Sequence, residues 1–392
     1  MRSSVELFTG CGGLAMGLSR AGFRARRMVE WDRASVENVL HNHARGLLHV
    51  RDWPIHHGDV REVDWRAQGR LDLVAGGPPC QPFSIGGKHR GQEDRRDMWP
   101  EAVRAVREIG PRAFLFENVR GLTRAAFADY LGWITASLAH PDILRQPGET
   151  REAHHERLRA APAPAYQVSV HSVNAADYGA AQKRHRVILM GLRADLATGA
   201  PALTPTHSRE RLLWDQWVTG DYWTRHAIPA PGHGPAAADA PLVRRLRAAG
   251  TCPEGLAWRT VRDALAGLGA PGAGPLANHR PQPGARAYPG HTGSPLDQPA
   301  KALKAGVHGV PGGENMLALP DGSVRYLTVR EAARLQGLPD DFEFVGSWSE
   351  NMRQLGNAVP TELAEAAARA LGAVLDRDAP RSGKLPGKRR AA

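Results

Sequence analysis

The chain has 392 residues, enough to bury one large core and a second, smaller one. Its 51 Lys and Arg against 40 Asp and Glu leave a formal charge of +11, which suits a polyanion such as nucleic acid, although an Arg-rich composition gives the same excess with no partner. Three widely spaced cysteines (Cys11, Cys80, Cys252) without a CxxC pair argue against a disulfide framework or zinc cluster. No apolar run approaches the ~20 residues of a membrane span, and Met1–Glu6 lacks a signal peptide's apolar stretch, so a cytoplasmic protein with no metal and no membrane contact is expected.

Val5–Phe8 reads as the first strand and Leu14–Ala21 as the first helix, joined by Phe8-Thr9-Gly10-Cys11-Gly12-Gly13. Gly10, Gly12 and Gly13 would let backbone N–H groups approach a ligand at the carboxyl edge of a sheet. The run is not a GxGxxG fingerprint, and a plain strand-to-helix turn is the competing reading. Arg27–Glu30 is the second strand, ending in Glu30-Trp31; an acid there can accept hydrogen bonds from a ribose diol, and Trp31 offers an adenine a flat face. Gly58-Asp59-Val60 closes a third strand, where Asp59 could accept from an exocyclic amine. Each acid alone also reads as a helix cap. Together, a glycine turn and two acids at successive strand ends describe a nucleoside pocket without a pyrophosphate.

The fourth strand, Leu71–Ala75, runs into Gly76-Gly77-Pro78-Pro79-Cys80-Gln81-Pro82. Prolines stiffen the backbone around Cys80 and hold its thiol at the same edge, as a nucleophile requires. Cys11 and Cys252 read as small buried hydrophobes. Met98–Ile109 is helical. The fifth strand, Ala113–Glu117, delivers Glu117-Asn118-Val119, where Glu117 could donate a proton or hydrogen bond, or cap the helix predicted over Leu122–Leu138. Gln167–Ser172 and Val187–Met190 complete the strands. Before the last comes Gln182-Lys183-Arg184-His185-Arg186; if extended, it puts Arg184 and Arg186 on one face. The alternation throughout is that of a doubly wound α/β sheet.

Beyond Gly191, Pro and Gly recur among Trp214, Trp217, Trp223 and Trp258, which predicts a smaller irregular domain over 192–352. Helices return at Thr328–Leu335 and Glu362–Leu375. The first domain spans 1–191 and 353–376, and the basic tail 377–392 is expected to be disordered.

In this order, the motifs resemble those of the DNA cytosine-5 methyltransferases, over Val5–Met190 and Arg325–Leu375. Phe8–Gly13 is similar to the S-adenosylmethionine loop, Glu30-Trp31 and Asp59 to its ribose, ring and amine contacts, and Pro79-Cys80-Gln81 to the nucleophile motif. Glu117-Asn118-Val119 resembles the acid motif, Gln182–Arg186 the basic motif, Arg325–Pro339 the helix that organises the recognition domain, and Gln354–Pro360 the closing block. Glu6 stands where the family more often has Asp.

The resemblance implies a mixed sheet of the Rossmann-like, S-adenosylmethionine-dependent type and a target-recognition domain over 192–352. It implies Cys80, Glu117, Arg184 and Arg186 as catalytic, with Phe8, Gly10, Gly12, Gly13, Glu30, Trp31, Asp59, Val60, Pro79, Trp99 and Asn357 around the cofactor. Arg209, Arg211, Arg225, Arg244, Arg245 and Arg247 are available for phosphates and guanine edges. The implied protein is a monomer that methylates duplex DNA beside a cognate restriction endonuclease. A tRNA methyltransferase and an inactive DNA-binding regulator on the same fold are the alternatives; the presence of both Cys80 and Glu117 argues against the second.

Overall fold

The computed structural model describes residues 1–79, 97–196, 199, 201–289, 291–306 and 315–377. Cys80, the loop Ser84–Lys88 that follows it, and the tail beyond 377 lie outside them. β1 (Arg2–Leu7), α1 (Gly13–Arg20), β2 (Phe23–Glu30), α2 (Arg33–Ala44) and β3 (Ile55–His57) open the chain. β4 (Leu73–Gly76), α3 (Trp99–Ile109), β5 (Ala113–Val119), α4 (Ala128–Ala139) and α5 (Arg151–Arg159) follow. β6 (Tyr166–Asn174), the short β7 (Gln182–Lys183) and β8 (His185–Arg193) end the first half.

Seven strands form one sheet in the order β3-β2-β1-β4-β5-β8-β6. β1 to β5 pair in parallel, and β8 runs antiparallel to both β5 and β6. The sheet is therefore mixed, as expected. Its order reverses between β1 and β4, which opens a crevice outside their carboxyl ends.

The second half carries α6 (Arg209–Trp217), α7 (Asp221–Arg225), α8 (Ala240–Ala249) and α9 (Val261–Leu265) among very short strands. α10 (Val329–Leu335), α11 (Trp348–Asn357) and α12 (Thr361–Arg377) close it. α10 starts at a capping box in which Thr328 and Glu331 satisfy each other's backbone N–H.

Strands buried on both faces read as continuous apolar runs, and Phe114-Leu115-Phe116 is one. On one side Phe114 and Phe116 pack with Trp99, Ile109, Ile134 and Leu138; on the other Leu73 and Leu115 pack with Leu14, Leu18, Leu363 and Leu371. A third cluster joins Ala15 and Met16 of α1 to Leu335 of α10 and Leu355 of α11. α1 meets α12 closely because Gly17 has no side chain: a Cβ there would lie 2.4 Å from that of Ala364.

Two features depart from the sequence reading. The helix expected from Leu122 begins at Ala128, after two 3-10 turns, and the Thr123 hydroxyl donates to the Arg120 carbonyl at 3.0 Å. Such side-chain bonds compete with a helical start. α2 was not anticipated, although Asp32 accepts from the Ser35 N–H at 2.9 Å and caps it. Among the described residues no helix is long and apolar enough to cross a membrane.

Candidate active site

The carboxyl ends of the strands surround a cavity of about 770 Å³. β1 contributes Phe8, Thr9 and Gly10; β2 contributes Glu30, Trp31 and Asp32; β3 is followed by Gly58–Arg61. Gly77, Pro78 and Pro79 after β4, Glu117–Val119 of β5, Arg184 and Arg186, and Arg353, Gln354 and Gly356–Val359 complete the wall.

Phe8 has φ 59°, rare for a bulky residue and concentrated at functional turns. Gly10, at φ 57°, donates its N–H to Glu30 Oε2 at 2.7 Å, while Asp32 N–H donates to Glu30 Oε1 at 2.7 Å. Each oxygen keeps a further acceptor site, the complement of two ribose hydroxyls. Burial first, and then the neighbouring Asp32, raise the pKa of Glu30 against these two N–H donors. Trp31 is 67% exposed, an open aromatic face at the cavity rim, with the Arg61 guanidinium 5.9 Å from its ring centre.

Asp59 lines the cavity but is already engaged. It accepts from Arg61 Nε at 2.9 and 3.0 Å and from the Arg61 backbone N–H at 2.9 Å, and Arg61 holds its carboxyl below the usual range. A ligand amine would share this carboxylate with Arg61. Val60 is largely buried and lines the cavity.

The opposite end holds the acid. Glu117 and Arg186 form an ion pair, Oε1 to Nε at 2.5 Å, whose N–H is not aimed along the contact. Gly77 faces the other Glu117 oxygen: a Cβ there would lie 3.4 Å from Oε2. Asn118 donates its amide to the Pro78 carbonyl at 3.0 Å, so the acid-bearing strand also pins the backbone two residues before Cys80. Sequence reasoning had assigned Asn118 no task.

Several expectations are corrected. Trp99 is wholly buried, packed edge-on against Phe116 with ring centres 5.8 Å apart; its neighbour Met98 lines the cavity instead. Gly12 does not line it either: at φ 91° it makes room for Trp53, whose ring would lie 2.4 Å from a Cβ. Gly13 does line the cavity, and it also abuts the Val359 carbonyl. Arg184 is buried, donating to the Leu303 carbonyl at 2.7 Å and the Gly356 carbonyl at 2.6 Å, which makes it a positioning residue. Cys11 is buried and its thiol is pushed up to about 12 by burial, but Cys252 is exposed rather than a buried hydrophobe. Arg353, Gln354 and Asp32 had not been foreseen in the wall; Arg353 reaches Asp32 at 2.9 Å, closing the rim from α11.

The fold is α/β, and one cavity at its strand ends joins the Glu30 carboxylate to a buried Glu117–Arg186 pair. A family model described as C-5 cytosine-specific DNA methylase matches residues 2–142, 145–215 and 289–373. The chain is 29% identical over 371 residues to the Type II methyltransferase M.NgoMIV of Neisseria gonorrhoeae, covering 94% of this chain and 96% of that one. It is 30% identical over 375 residues to the Type II methyltransferase M.AplI of Arthrospira platensis, covering 95% and 86%. A solved structure of a putative DNA modification methyltransferase encoded within an Escherichia coli prophage matches with a TM-score of 0.54 at 21% identity, covering 96% of this chain and all of that one. The chain belongs to the C-5 cytosine-specific DNA methylases and is a DNA (cytosine-5-)-methyltransferase. Members of this family take their methyl group from S-adenosylmethionine.

Proposed function

We propose that the cavity holds S-adenosylmethionine at the Glu30–Trp31 end and a flipped-out cytosine at the Glu117–Arg186 end. The Glu117–Arg186 pair carries this reading, because it shares one cavity with an acid suited to a ribose and with the Pro78-Pro79 run leading to Cys80. A cavity of about 770 Å³ is ample for a nucleoside and a base together. Glu30 takes the ribose hydroxyls and Phe8 and Trp31 the adenine; Gly10, Asp59, Val60, Pro79 and Asn357 line the remainder. S-adenosylmethionine supplies an electrophilic methyl group and leaves as S-adenosylhomocysteine.

Flipping the base costs a few kcal/mol and brings C6 within reach. The Cys80 thiolate adds to C6, and Glu117 hydrogen-bonds the ring nitrogen and exocyclic amine, so that C5 becomes enamine-like. C5 takes the methyl group; loss of its proton and breakage of the Cys80–C6 bond then release 5-methylcytosine. Arg186 orients Glu117 and faces the cytosine O2. Arg184 holds that wall through the Gly356 and Leu303 carbonyls.

Residues 1–191 and 353–376 form the catalytic domain in this reading, and 192–352 reads the duplex. The enzyme acts as a cytoplasmic monomer and protects host DNA at a site also cut by a cognate endonuclease, a reading supported by relatives that carry Type II names. Labelled methyl transfer tests it: label is expected on duplex DNA and not on tRNA, and transfer to tRNA alone would overturn it. Cys80→Ser should abolish transfer with cofactor binding intact; near-normal turnover would remove the covalent role. Bisulfite sequencing of DNA from expressing cells then reports the target sequence.

A further inference from the structure

The run that carries Arg186 turns a second face away from the cavity. Gln182 and Arg184 are buried, while Lys183 and His185 between them are exposed, the alternation of an extended segment. β7 pairs in parallel with Ala300–Lys301, setting Ala300 beside Gln182 and Lys301 directly beside Lys183. Partners in a ladder project to the same side, so two ammonium groups stand next to each other, an arrangement that weakens the pairing.

The ladder cannot slip to separate them. The Gln182 amide donates to the Leu335 carbonyl at 2.7 Å and to Gln336 Oε1 at 3.0 Å, Ala300 N–H to the Ala181 carbonyl at 2.8 Å, and Lys301 N–H to Ser294 Oγ at 3.0 Å. A slip of one residue would expose Gln182 and Ala300 and bury a lysine. Arg209 stands beside them, its charge answered by Asp239. Burial first, then Arg209 and Lys301, hold the Lys183 ammonium below the usual lysine range, with Asp239 pulling the other way. Lys301 Nζ donates only to the Thr292 hydroxyl, at 3.1 Å, and among the described residues neither lysine has an ion-pair partner.

A fixed pair of like charges is a poor design for the free protein and a good one for holding an anion. We propose that Lys183 and Lys301 together bind a phosphodiester of the DNA backbone, outside the base pocket. The inference rests on the reading of the cavity as the cytosine site, because that reading supplies the polyanion. Three residues of extended chain, roughly 10 Å, separate Lys183 from Arg186. At ~3.4 Å of rise per nucleotide that span is about three base steps, so the phosphate gripped here lies on the same duplex within a few nucleotides of the flipped one.

Anisotropy of a fluorescent duplex, titrated with full-length protein from 50 to 200 mM salt, tests the proposal. The contact is to the backbone, so any duplex serves. The double variant Lys183→Gln, Lys301→Gln should make the slope of log affinity against log salt less negative by about 0.9, the value for one phosphate, so that it loses affinity roughly 3.5-fold less than wild type over that range, and each single Gln variant should show part of that change. S-adenosylmethionine affinity should be unchanged, and the thermal midpoint without DNA equal or higher, since the repulsion is gone. Lys301→Glu should raise that midpoint by pairing with Lys183 while weakening DNA binding further. A wild-type slope in the double Gln variant or in Lys301→Glu overturns the proposal, and so does a lowered midpoint in the Gln variants. A wild-type enzyme that binds duplex with no salt dependence would instead remove the DNA-site reading itself.

Discussion

Arg184→Ala should cost more stability than any substitution at an exposed arginine, for reasons the geometry makes countable. The guanidinium is buried and donates to the Leu303 carbonyl at 2.7 Å and the Gly356 carbonyl at 2.6 Å. Those acceptors lie 119 and 172 residues away in sequence, so this one side chain ties the basic motif to the Leu303 segment and to the end of α11. Leaving a buried acceptor unsatisfied costs roughly 1–3 kcal/mol, and two such carbonyls plus a side-chain-sized void come to about 3–5 kcal/mol, the range for breaking a buried charged contact. The thermal midpoint should fall by about 4–6 °C. Urea unfolding followed by circular dichroism measures the loss, and Arg184→Lys, which keeps a charged donor but lacks the forked reach of the guanidinium, should recover about half of it. Because Gly356 and Asn357 line the cavity, the Ala variant should also bind S-adenosylmethionine more weakly at a temperature where it remains folded. An Ala variant within about 1 kcal/mol of wild type, with unchanged cofactor affinity, would refute the positioning role.

Cofactor affinity should fall on acidification, because the ribose contact needs ionised Glu30 and burial raises its pKa; the fall should therefore begin above the usual glutamate range, and calorimetric titration of Glu30→Gln should show weaker binding without that acid limb. Glu6 is wholly buried with Oε1 unpartnered among the described residues, and burial first, then Glu30, push its pKa well above the ordinary value. Its contribution is thus present at low pH and lost as pH rises through the folded value, so Glu6→Gln should gain on wild type with increasing pH in urea titrations; a gap that shrinks with pH would contradict this. Gly356→Ala would place a Cβ 2.2 Å from the Ala305 nitrogen and should destabilise by about 2–3 kcal/mol in the same assay.

The strand ends were legible because each pairs a short apolar run with a turn and one functional residue. Glu30, Asp59, Pro79 and Glu117 all lie on the cavity, as that pattern suggested. Trp99 was placed at the cofactor by the family resemblance, yet its helical period carried the answer. Trp99, Ala102, Val106 and Ile109 form one apolar stripe and all are buried; Met98 lies off it, next to the cavity. Arg184 was picked out beside Arg186 on the extended basic run, but its burial gave no local signal, because what buries it are backbone carbonyls from more than a hundred residues away. Asn118 is a similar case: only the fold reveals that its amide holds Pro78. The glycine turn was read as a ligand cradle with a plain turn as the competing reading; Gly10 and Gly13 do line the cavity, Gly10 also serves the Glu30 carboxylate, and Gly12 serves packing against Trp53.

The charge argument changes most. A formal +11 invites the view that every arginine between 192 and 352 is free for DNA. Arg209 is paired with Asp239, Arg211 with Asp215 and Arg225 with Asp263, while Arg247 donates to the Trp217 carbonyl at 2.6 Å. Paired arginines release few counterions, because their field is already cancelled nearby. Arg244 and Arg245, exposed on α8 beside the buried Val243 and Leu246, have no partner among the described residues. They share this with Lys183, Lys301, Arg280 and Arg286, none of which has an ion-pair partner among the described residues. Composition therefore reports how much basic charge the chain carries, and the pairing of each cation determines where that charge can meet a phosphate.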